Sequence, residues 1–85
     1  MAKIDVYTTT YCPYCVRAKQ LLDMKDVDYT EIDVTGDDAA RAALIEKSGG
    51  RRTVPQIFIN GQAIGGYDDM RALEESGKLD ALLAG

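Results

Sequence analysis

The sequence predicts an α/β fold in which four strands form one mixed sheet with helices on both faces, in the order β-α-β-α-β-β-α. Two observations lead to this prediction. Short stretches of alternating apolar and polar residues are separated by segments with a helical spacing of apolar residues. The last two stretches are joined by Asn60-Gly61, a strong signal for a two-residue hairpin turn. Strands joined by a helix run parallel and strands joined by a hairpin run antiparallel, so we expect a mixed sheet.

Alternation of apolar and polar residues predicts the strands. Ile4, Val6 and Thr8 define the pattern in the first strand, where the intervening residues are polar or aromatic. The predicted strands lie at 4–9, 29–34, 54–59 and 63–64. The third is rich in β-branched and aromatic residues, and Pro55 stands at its start.

Caps and breakers predict the helices. Pro13 suits the first turn of a helix because its missing N–H has no helical partner there. A second helix is expected at 38–47, and a last helical region follows Asp68 as N-cap and breaks at Gly77. The apolar positions of the three regions are Tyr14, Ala18, Leu21 and Leu22, then Ala40, Ala43 and Leu44, then Met70, Leu73, Leu79, Leu82 and Leu83.

Composition and charge exclude several classes of function. The 85 residues suffice for one domain, 1–85, and no linker or repeat divides them. With a net charge of −4 and no basic stripe, no nucleic-acid partner is expected. Histidine is absent, which removes Ser-His and Cys-His catalysis. No signal peptide and no apolar run of bilayer length are recognisable, so we expect a cytoplasmic protein without membrane association.

The only two cysteines, Cys12 and Cys15, flank Pro13-Tyr14 where a predicted strand meets a predicted helix. A disulfide between them closes a very short loop and adds little stability, so the pair suits chemistry better than stapling the fold. Two inert core cysteines, or half of a zinc site, are the alternatives. Zinc needs about four ligands, and the chain offers neither a third cysteine nor a histidine. A Cys-x-x-Cys pair in a βαβ context therefore favours redox catalysis without a metal.

The helix that begins at this motif predicts different roles for the two sulfurs. Free N–H groups and the positive end of the helix dipole favour the thiolate of Cys12, so we expect its pKa to be lowered. Arg17 and Lys19 add positive charge nearby. Cys15 lies one turn further and is expected to keep a higher pKa. Cys12 is thus predicted to attack a disulfide first, and Cys15 to resolve the mixed disulfide.

Two further segments have the composition of a binding site. In the stretch 51–55, a proline opens a strand and leaves the backbone of Val54 free to pair with an extended peptide; a plain turn into an edge strand is the alternative. In the stretch 65–68, glycines ahead of a helix leave N–H groups for a carboxylate, and Asp68 can accept from an ammonium. The second stretch suits an α-amino-acid end, with simple helix capping as the alternative.

The three segments together resemble glutaredoxin, in particular the short bacterial dithiol members of the thioredoxin superfamily. The matching motifs, in chain order, are Cys12-Pro13-Tyr14-Cys15, Thr53-Val54-Pro55 and Gly65-Gly66-Tyr67-Asp68-Asp69. The resemblance covers nearly the whole chain and implies a thioredoxin-like fold. One position departs from the family pattern, because Thr9 stands where many members carry a lysine.

The resemblance also implies a function. It implies an enzyme that reduces protein–glutathione mixed disulfides and protein disulfides, with glutathione as co-substrate, no tightly bound cofactor and Pro55 in the cis form. The residues that it assigns to glutathione are Tyr14, Arg52 (or Arg51), Thr53, Val54, Pro55, Gly66, Tyr67 and Asp68. There are two alternative functions. One is an electron donor that is reduced by thioredoxin reductase, and the other is a glutathione-ligated iron–sulfur scaffold. We expect a monomer whose partners are glutathione and disulfide-containing proteins.

Overall fold

The computed structural model describes residues 2–84; Met1 and Gly85, the ends of the predicted domain 1–85, lie outside the described residues. In chain order the elements are β1 (Ile4–Thr8), α1 (Pro13–Met24), β2 (Thr30–Asp33), α2 (Asp38–Lys47), β3 (Gln56–Ile59), β4 (Gln62–Gly65), α3 (Tyr67–Glu75) and α4 (Lys78–Ala84). The predicted order is confirmed, and Gly77 separates the last helical region into α3 and α4. Among residues 2–84, no helix has both the length and the apolar character that crossing a membrane requires.

The sheet has the strand order β2-β1-β3-β4. β1 runs parallel to β2 and antiparallel to β3, and β3 runs antiparallel to β4, so the sheet is mixed as predicted. Tyr7 near the end of β1 pairs with Gln56 at the start of β3, and Ile57 pairs with Gly65 at the end of β4. The segments that carry the three sequence motifs therefore leave the sheet at the same end.

Helices cover both faces of this sheet. On one face α1, α3 and α4 surround a core of Ile4, Val6, Ala18, Leu22, Ile57, Ile59, Met70, Leu79 and Leu83. On the other face α2 packs through Leu44 against Val34 and Phe58. Side chains alternate between the faces of a strand, so β3 supplies both cores and every one of its residues is buried.

The structure corrects two helix positions. The residues that α1 buries are Cys15, Ala18 and Leu22. Tyr14 is 51% exposed, because it lies about 100° around the helix from its neighbour Cys15. Ala43 is exposed for the same reason, since Leu44 is the residue that α2 directs into the core.

β3 begins later than predicted, at Gln56 rather than at Val54. Pro55 has no N–H to donate to a ladder hydrogen bond, so regular pairing with β1 starts only after it. Residues 53–55 are therefore left outside the strand, as a loop at the end of the sheet where the motifs meet.

Candidate active site

Cys12 is the N-cap residue of α1, so its sulfur lies among the free N–H groups of the first helical turn. Its Sγ accepts a hydrogen bond from the backbone N–H of Cys15 at 3.1 Å. The two sulfurs form a disulfide, with the Cα atoms 5.1 Å apart. Cys12 is partly exposed, whereas Cys15 is 2% exposed. This difference in access supports the assignment of first attack to Cys12.

The cations that the sequence places near the motif have other contacts. Lys19 Nζ lies 2.9 Å from Glu31 Oε2, and this hydrogen bond raises the pKa of Lys19 and lowers the pKa of Glu31. The Arg17 guanidinium lies over the ring of Tyr14, 5.3 Å from its centroid. The charge of Lys19 is thus paired with that of Glu31. The N-terminus of α1 brings partial positive charge into direct contact with the sulfur, through the N–H of Cys15.

The loop ahead of β3 brings backbone groups up to the reactive sulfur. The carbonyl oxygen of Val54 lies 3.6 Å from Cys12 Sγ. The Val54–Pro55 peptide bond is cis, as the resemblance implies. Gln56 donates from its side-chain amide to the carbonyl of Thr53 at 2.9 Å. These contacts place Val54 directly beside the disulfide.

The third motif opens α3, but the N-cap is Gly66 rather than the predicted Asp68. The capping carboxylate belongs to Asp69, which accepts from the Gly66 N–H at 2.9 Å. Asp69 holds the N3 position, from which a carboxylate can reach back to the N-cap backbone. This hydrogen bond is the main reason why the pKa of Asp69 lies below its usual value. Asp68 remains exposed in the first turn of α3.

Asp69 also holds a cation at the end of β4. Arg51 Nη2 lies 2.9 Å from Asp69 Oδ2, the same oxygen that accepts from Gly66. Gly65 leaves the space that this pair occupies. Its φ is +115°, and a Cβ atom there would collide with both the guanidinium of Arg51 and the carboxylate of Asp69.

These segments enclose a cavity of about 250 Å³. Its lining residues are Tyr14, Arg51, Thr53, Val54, Pro55, Gly66, Tyr67, Asp68 and Asp69. The ring centroids of Tyr14 and Tyr67 lie 6.3 Å apart. Since Val54 lines the cavity and also contacts Cys12, a ligand in the cavity would lie next to the reactive sulfur.

All of the predicted binding residues except Arg52 line this cavity. The backbone carbonyl of Arg52 accepts from Arg41 Nη2 at 3.0 Å, and its side chain does not line the cavity. Arg51, the alternative cation, does line it. Sequence reasoning did not assign a role to Asp69, although its place three residues after Gly66 is the signal for a capping carboxylate.

The fold and the site together define a class of protein. A mixed sheet with a Cys-x-x-Cys pair at the N-terminus of its first helix, and with a proline-containing loop against the first sulfur, is a thioredoxin-like thiol–disulfide oxidoreductase. Within residues 2–84, no three His, Cys, Asp or Glu side chains are grouped as a metal site.

The family model described as Glutaredoxin matches residues 4–64. The chain belongs to the glutaredoxin family.

Individual relatives agree with this membership. The glutaredoxin of Pseudomonas aeruginosa is 54% identical over 84 residues, which are 99% of this chain and 99% of the relative. Glutaredoxin 3 of Escherichia coli K12 is 52% identical over 83 residues, which are 98% of this chain and 99% of the relative. The resemblance to the short bacterial members is therefore confirmed.

Solved structures share the fold. The solution structure of glutaredoxin from Brucella melitensis superposes with a TM-score of 0.86 at 49% identity, over 98% of this chain and 89% of that one. The crystal structure of a buckwheat glutaredoxin–glutathione complex superposes with a TM-score of 0.90 at 38% identity, over 98% of this chain and 77% of that one. The predicted thioredoxin-like fold is confirmed.

Proposed function

We propose that this oxidoreductase depends on glutathione and reduces protein–glutathione mixed disulfides and protein disulfides through Cys12 and Cys15. The observation that carries the proposal is the cavity beside Cys12, because its wall combines a cation, a helix N-terminus and free backbone groups. These are the groups that a short thiol peptide with charged ends requires. The buckwheat relative was solved in complex with glutathione, which supports the same ligand here.

The centre of the peptide is assigned to the loop ahead of β3. Val54 lies beside Cys12, so its backbone can pair with the cysteinyl unit of glutathione while the two sulfurs meet. Thr53 and Pro55 flank Val54 in the wall of the cavity, and Tyr14 adds an aromatic surface. A peptide held in this way has its sulfur next to the sulfur of Cys12.

The charged ends of the peptide are assigned to the remaining wall. The N–H groups of Tyr67 and Asp68, in the first turn of α3, suit the α-carboxylate of the γ-glutamyl unit. Gly66 lines the wall beside them, with its own N–H bound to Asp69, and the Asp68 carboxylate suits the ammonium group of the same unit. Arg51 suits the carboxylate of the glycine unit. We assign this role to Arg51 rather than to Arg52 because Arg51 lines the cavity.

For a glutathionylated protein, the thiolate of Cys12 attacks the glutathione sulfur, and the substrate disulfide breaks. The protein thiolate leaves and takes up a proton, while a Cys12–glutathione disulfide forms. A glutathione thiolate from solution then attacks the glutathione sulfur of that disulfide, so that oxidised glutathione leaves and the Cys12 thiolate returns. The N–H of Cys15, 3.1 Å from the Cys12 sulfur, is placed to stabilise this leaving thiolate.

For a protein disulfide, Cys12 first forms a mixed disulfide with one substrate sulfur, and the other leaves as a thiol. Cys15 then attacks Cys12, so the second substrate thiol leaves and the Cys12–Cys15 disulfide remains. Two glutathione molecules reduce this disulfide and leave as oxidised glutathione. In this proposed cycle the Cys12–Cys15 disulfide is the oxidised form of the enzyme.

The proposal includes the setting in which the protein works. Residues 1–85 form one domain that acts as a monomer in the cytoplasm, where a reducing glutathione pool can recycle the dithiol. Glutathione is consumed as a co-substrate, and the chemistry at Cys12 uses no tightly bound cofactor.

A coupled assay tests the proposal. Glutathione, glutathione reductase and a glutathionylated peptide are combined with the protein, and oxidation of NADPH is followed by absorbance. We expect NADPH oxidation that requires both the protein and glutathione. Turnover with thioredoxin reductase alone would show the alternative electron donor. A visible absorption band after anaerobic reconstitution with iron and sulfide, without turnover, would show an iron–sulfur scaffold. Either result would overturn the proposal.

A further inference from the structure

Gln56 is a polar residue in the most buried strand of the fold. Its side chain is fully buried, while the three residues after it, Ile57, Phe58 and Ile59, are apolar. Nε2 donates to the carbonyl of Thr53 at 2.9 Å and lies 3.3 Å from the hydroxyl of Thr53. The Thr53 carbonyl determines which way the amide of Gln56 is turned. In the reversed orientation Oε1 would face this carbonyl, and two acceptors would lie against each other.

The other end of the same amide has no partner. Gln56 Oε1 is buried and accepts no hydrogen bond from any group in residues 2–84. A buried acceptor without a donor is destabilising, and an apolar side chain at this position would avoid that cost. Stability alone would therefore favour an apolar residue at position 56. The presence of glutamine there indicates a role for its hydrogen bond to Thr53.

The bond to Thr53 determines the direction of the next N–H. The carbonyl of Thr53 and the N–H of Val54 belong to one planar peptide unit, in which the two groups point in opposite directions. Holding the carbonyl toward the buried amide therefore turns the Val54 N–H away from the interior. No group in residues 2–84 accepts from this N–H, and Val54 lines the cavity beside Cys12.

We infer that Gln56 is a positioning residue, which fixes the Thr53–Val54 peptide so that the Val54 N–H is ready to donate to the backbone of a thiol peptide in the cavity. The inference rests on the proposed function, since it names the residue that prepares the peptide-binding loop. Pro55 cannot tie this loop to β1 because it has no N–H, and the side chain of Gln56 instead ties the loop to the first residue of β3.

The test replaces Gln56 with methionine, which has a similar length and no donor. Ile57→Met is the matched control, because it places the same residue at the next buried position without a bond to the loop. We expect Gln56→Met to raise KM for a glutathionylated peptide roughly five- to tenfold, as for the loss of one hydrogen bond, with kcat little changed. We also expect a lower heteronuclear NOE at the Val54 amide, and an unchanged pH profile of Cys12 alkylation. Ile57→Met is expected to change none of these.

Equal KM values for wild type and Gln56→Met, or an equal rise in both variants, would overturn the inference. If Gln56→Met does not fold, Gln56→Leu takes its place. If the wild type does not turn over the glutathionylated peptide, the proposed function fails. The NOE at Val54 then decides the role of Gln56 by itself, and an unchanged value would overturn it.

Discussion

The carbonyl oxygen of Val54 lies 3.6 Å from the sulfur of Cys12, although 42 positions separate the two residues in the chain. The contact follows from the pairing of β1 with β3. Because these strands are antiparallel neighbours, the residues after β1 and the residues before β3 emerge at the same end of the sheet. The reactive sulfur and the loop that we assign to the substrate peptide are thus brought together by long-range strand pairing.

The two cysteines are expected to be separable by mutation. Cys12→Ser removes the attacking thiolate, so we expect no turnover of either substrate above the uncatalysed rate. Cys15→Ser leaves that thiolate in place and removes only the resolving thiol. It is expected to keep most of the deglutathionylation activity and to lose most of the protein-disulfide reductase activity. The measurement is initial rate with each substrate, and a Cys12→Ser protein that still turns over would contradict the assignment.

Arg51 and Arg52 offer a matched pair of substitutions. Each change to alanine removes one positive charge, but only Arg51 lines the cavity. We expect Arg51→Ala to raise KM for a glutathionylated peptide about tenfold, as for the loss of a charge-assisted hydrogen bond of about 1.4 kcal/mol. Arg52→Ala is expected to leave KM close to the wild-type value. Equal effects of the two substitutions on KM would remove the reason for assigning the glycine carboxylate to Arg51.

The ionisation of Asp69 is expected to make stability depend on pH. Its pKa is lowered from the ordinary value of 3.8, chiefly by the Gly66 N–H and then by Arg51. A lowered pKa in the folded state means that the carboxylate stabilises the fold above about pH 4, and that this contribution is lost as the pH falls through the folded-state pKa. We expect Asp69→Asn to lower the free energy of unfolding at pH 7 by roughly 0.5–1 kcal/mol, since the group is partly exposed to solvent.

Urea unfolding of wild type and Asp69→Asn between pH 7 and pH 3 measures this effect. The difference between the two proteins is expected to shrink below pH 4. Asp68→Asn serves as the control, because Asp68 is exposed and makes no capping bond. A difference that stays constant down to pH 3 would show that the charge of Asp69 is not what stabilises the fold.

A side chain at Gly65 is expected to be costly. Its φ of +115° is unfavourable for other residues, and a Cβ atom would displace the Arg51–Asp69 pair. Gly61, in the hairpin turn that precedes β4, has a φ of +81° but open space around it. We expect Gly61→Ala to cost about 1 kcal/mol of stability from backbone strain alone, and Gly65→Ala to cost more, about 2–3 kcal/mol. Only Gly65→Ala is expected to raise KM for the glutathionylated peptide, as measured beside thermal unfolding.

Local patterns in the sequence predicted much of this fold. The alternation of Ile4, Val6 and Thr8 gave the buried face of β1, and Pro13 marked the first residue of α1. Asn60-Gly61 marked the hairpin, and Gly77 marked the break between the last two helices. Each of these signals acts within a few residues through sterics or hydrogen bonding, so it can be interpreted without knowing the rest of the chain.

Choices between adjacent residues could not be predicted in the same way. For the buried face of α1 the sequence favoured Tyr14, but the structure buries Cys15. For the cap of α3 the sequence favoured Asp68, but the capping carboxylate is that of Asp69. For the cation at the cavity the sequence favoured Arg52, but Arg51 lines the cavity. In each pair the two neighbours lie in the same local element, and their side chains point in different directions. The distinction depends on the rotation of the backbone, which packing against distant segments decides.

The sequence by itself determined the order of the elements, the dithiol at the start of a helix and membership in a family, because these depend on residue types at short spacings. Only the tertiary structure decided which backbone groups stand beside the sulfur, which arginine faces the cavity and why a glutamine is buried behind it. Those outcomes depend on the pairing of β1 with β3 and of β3 with β4, which joins segments that lie far apart in the chain.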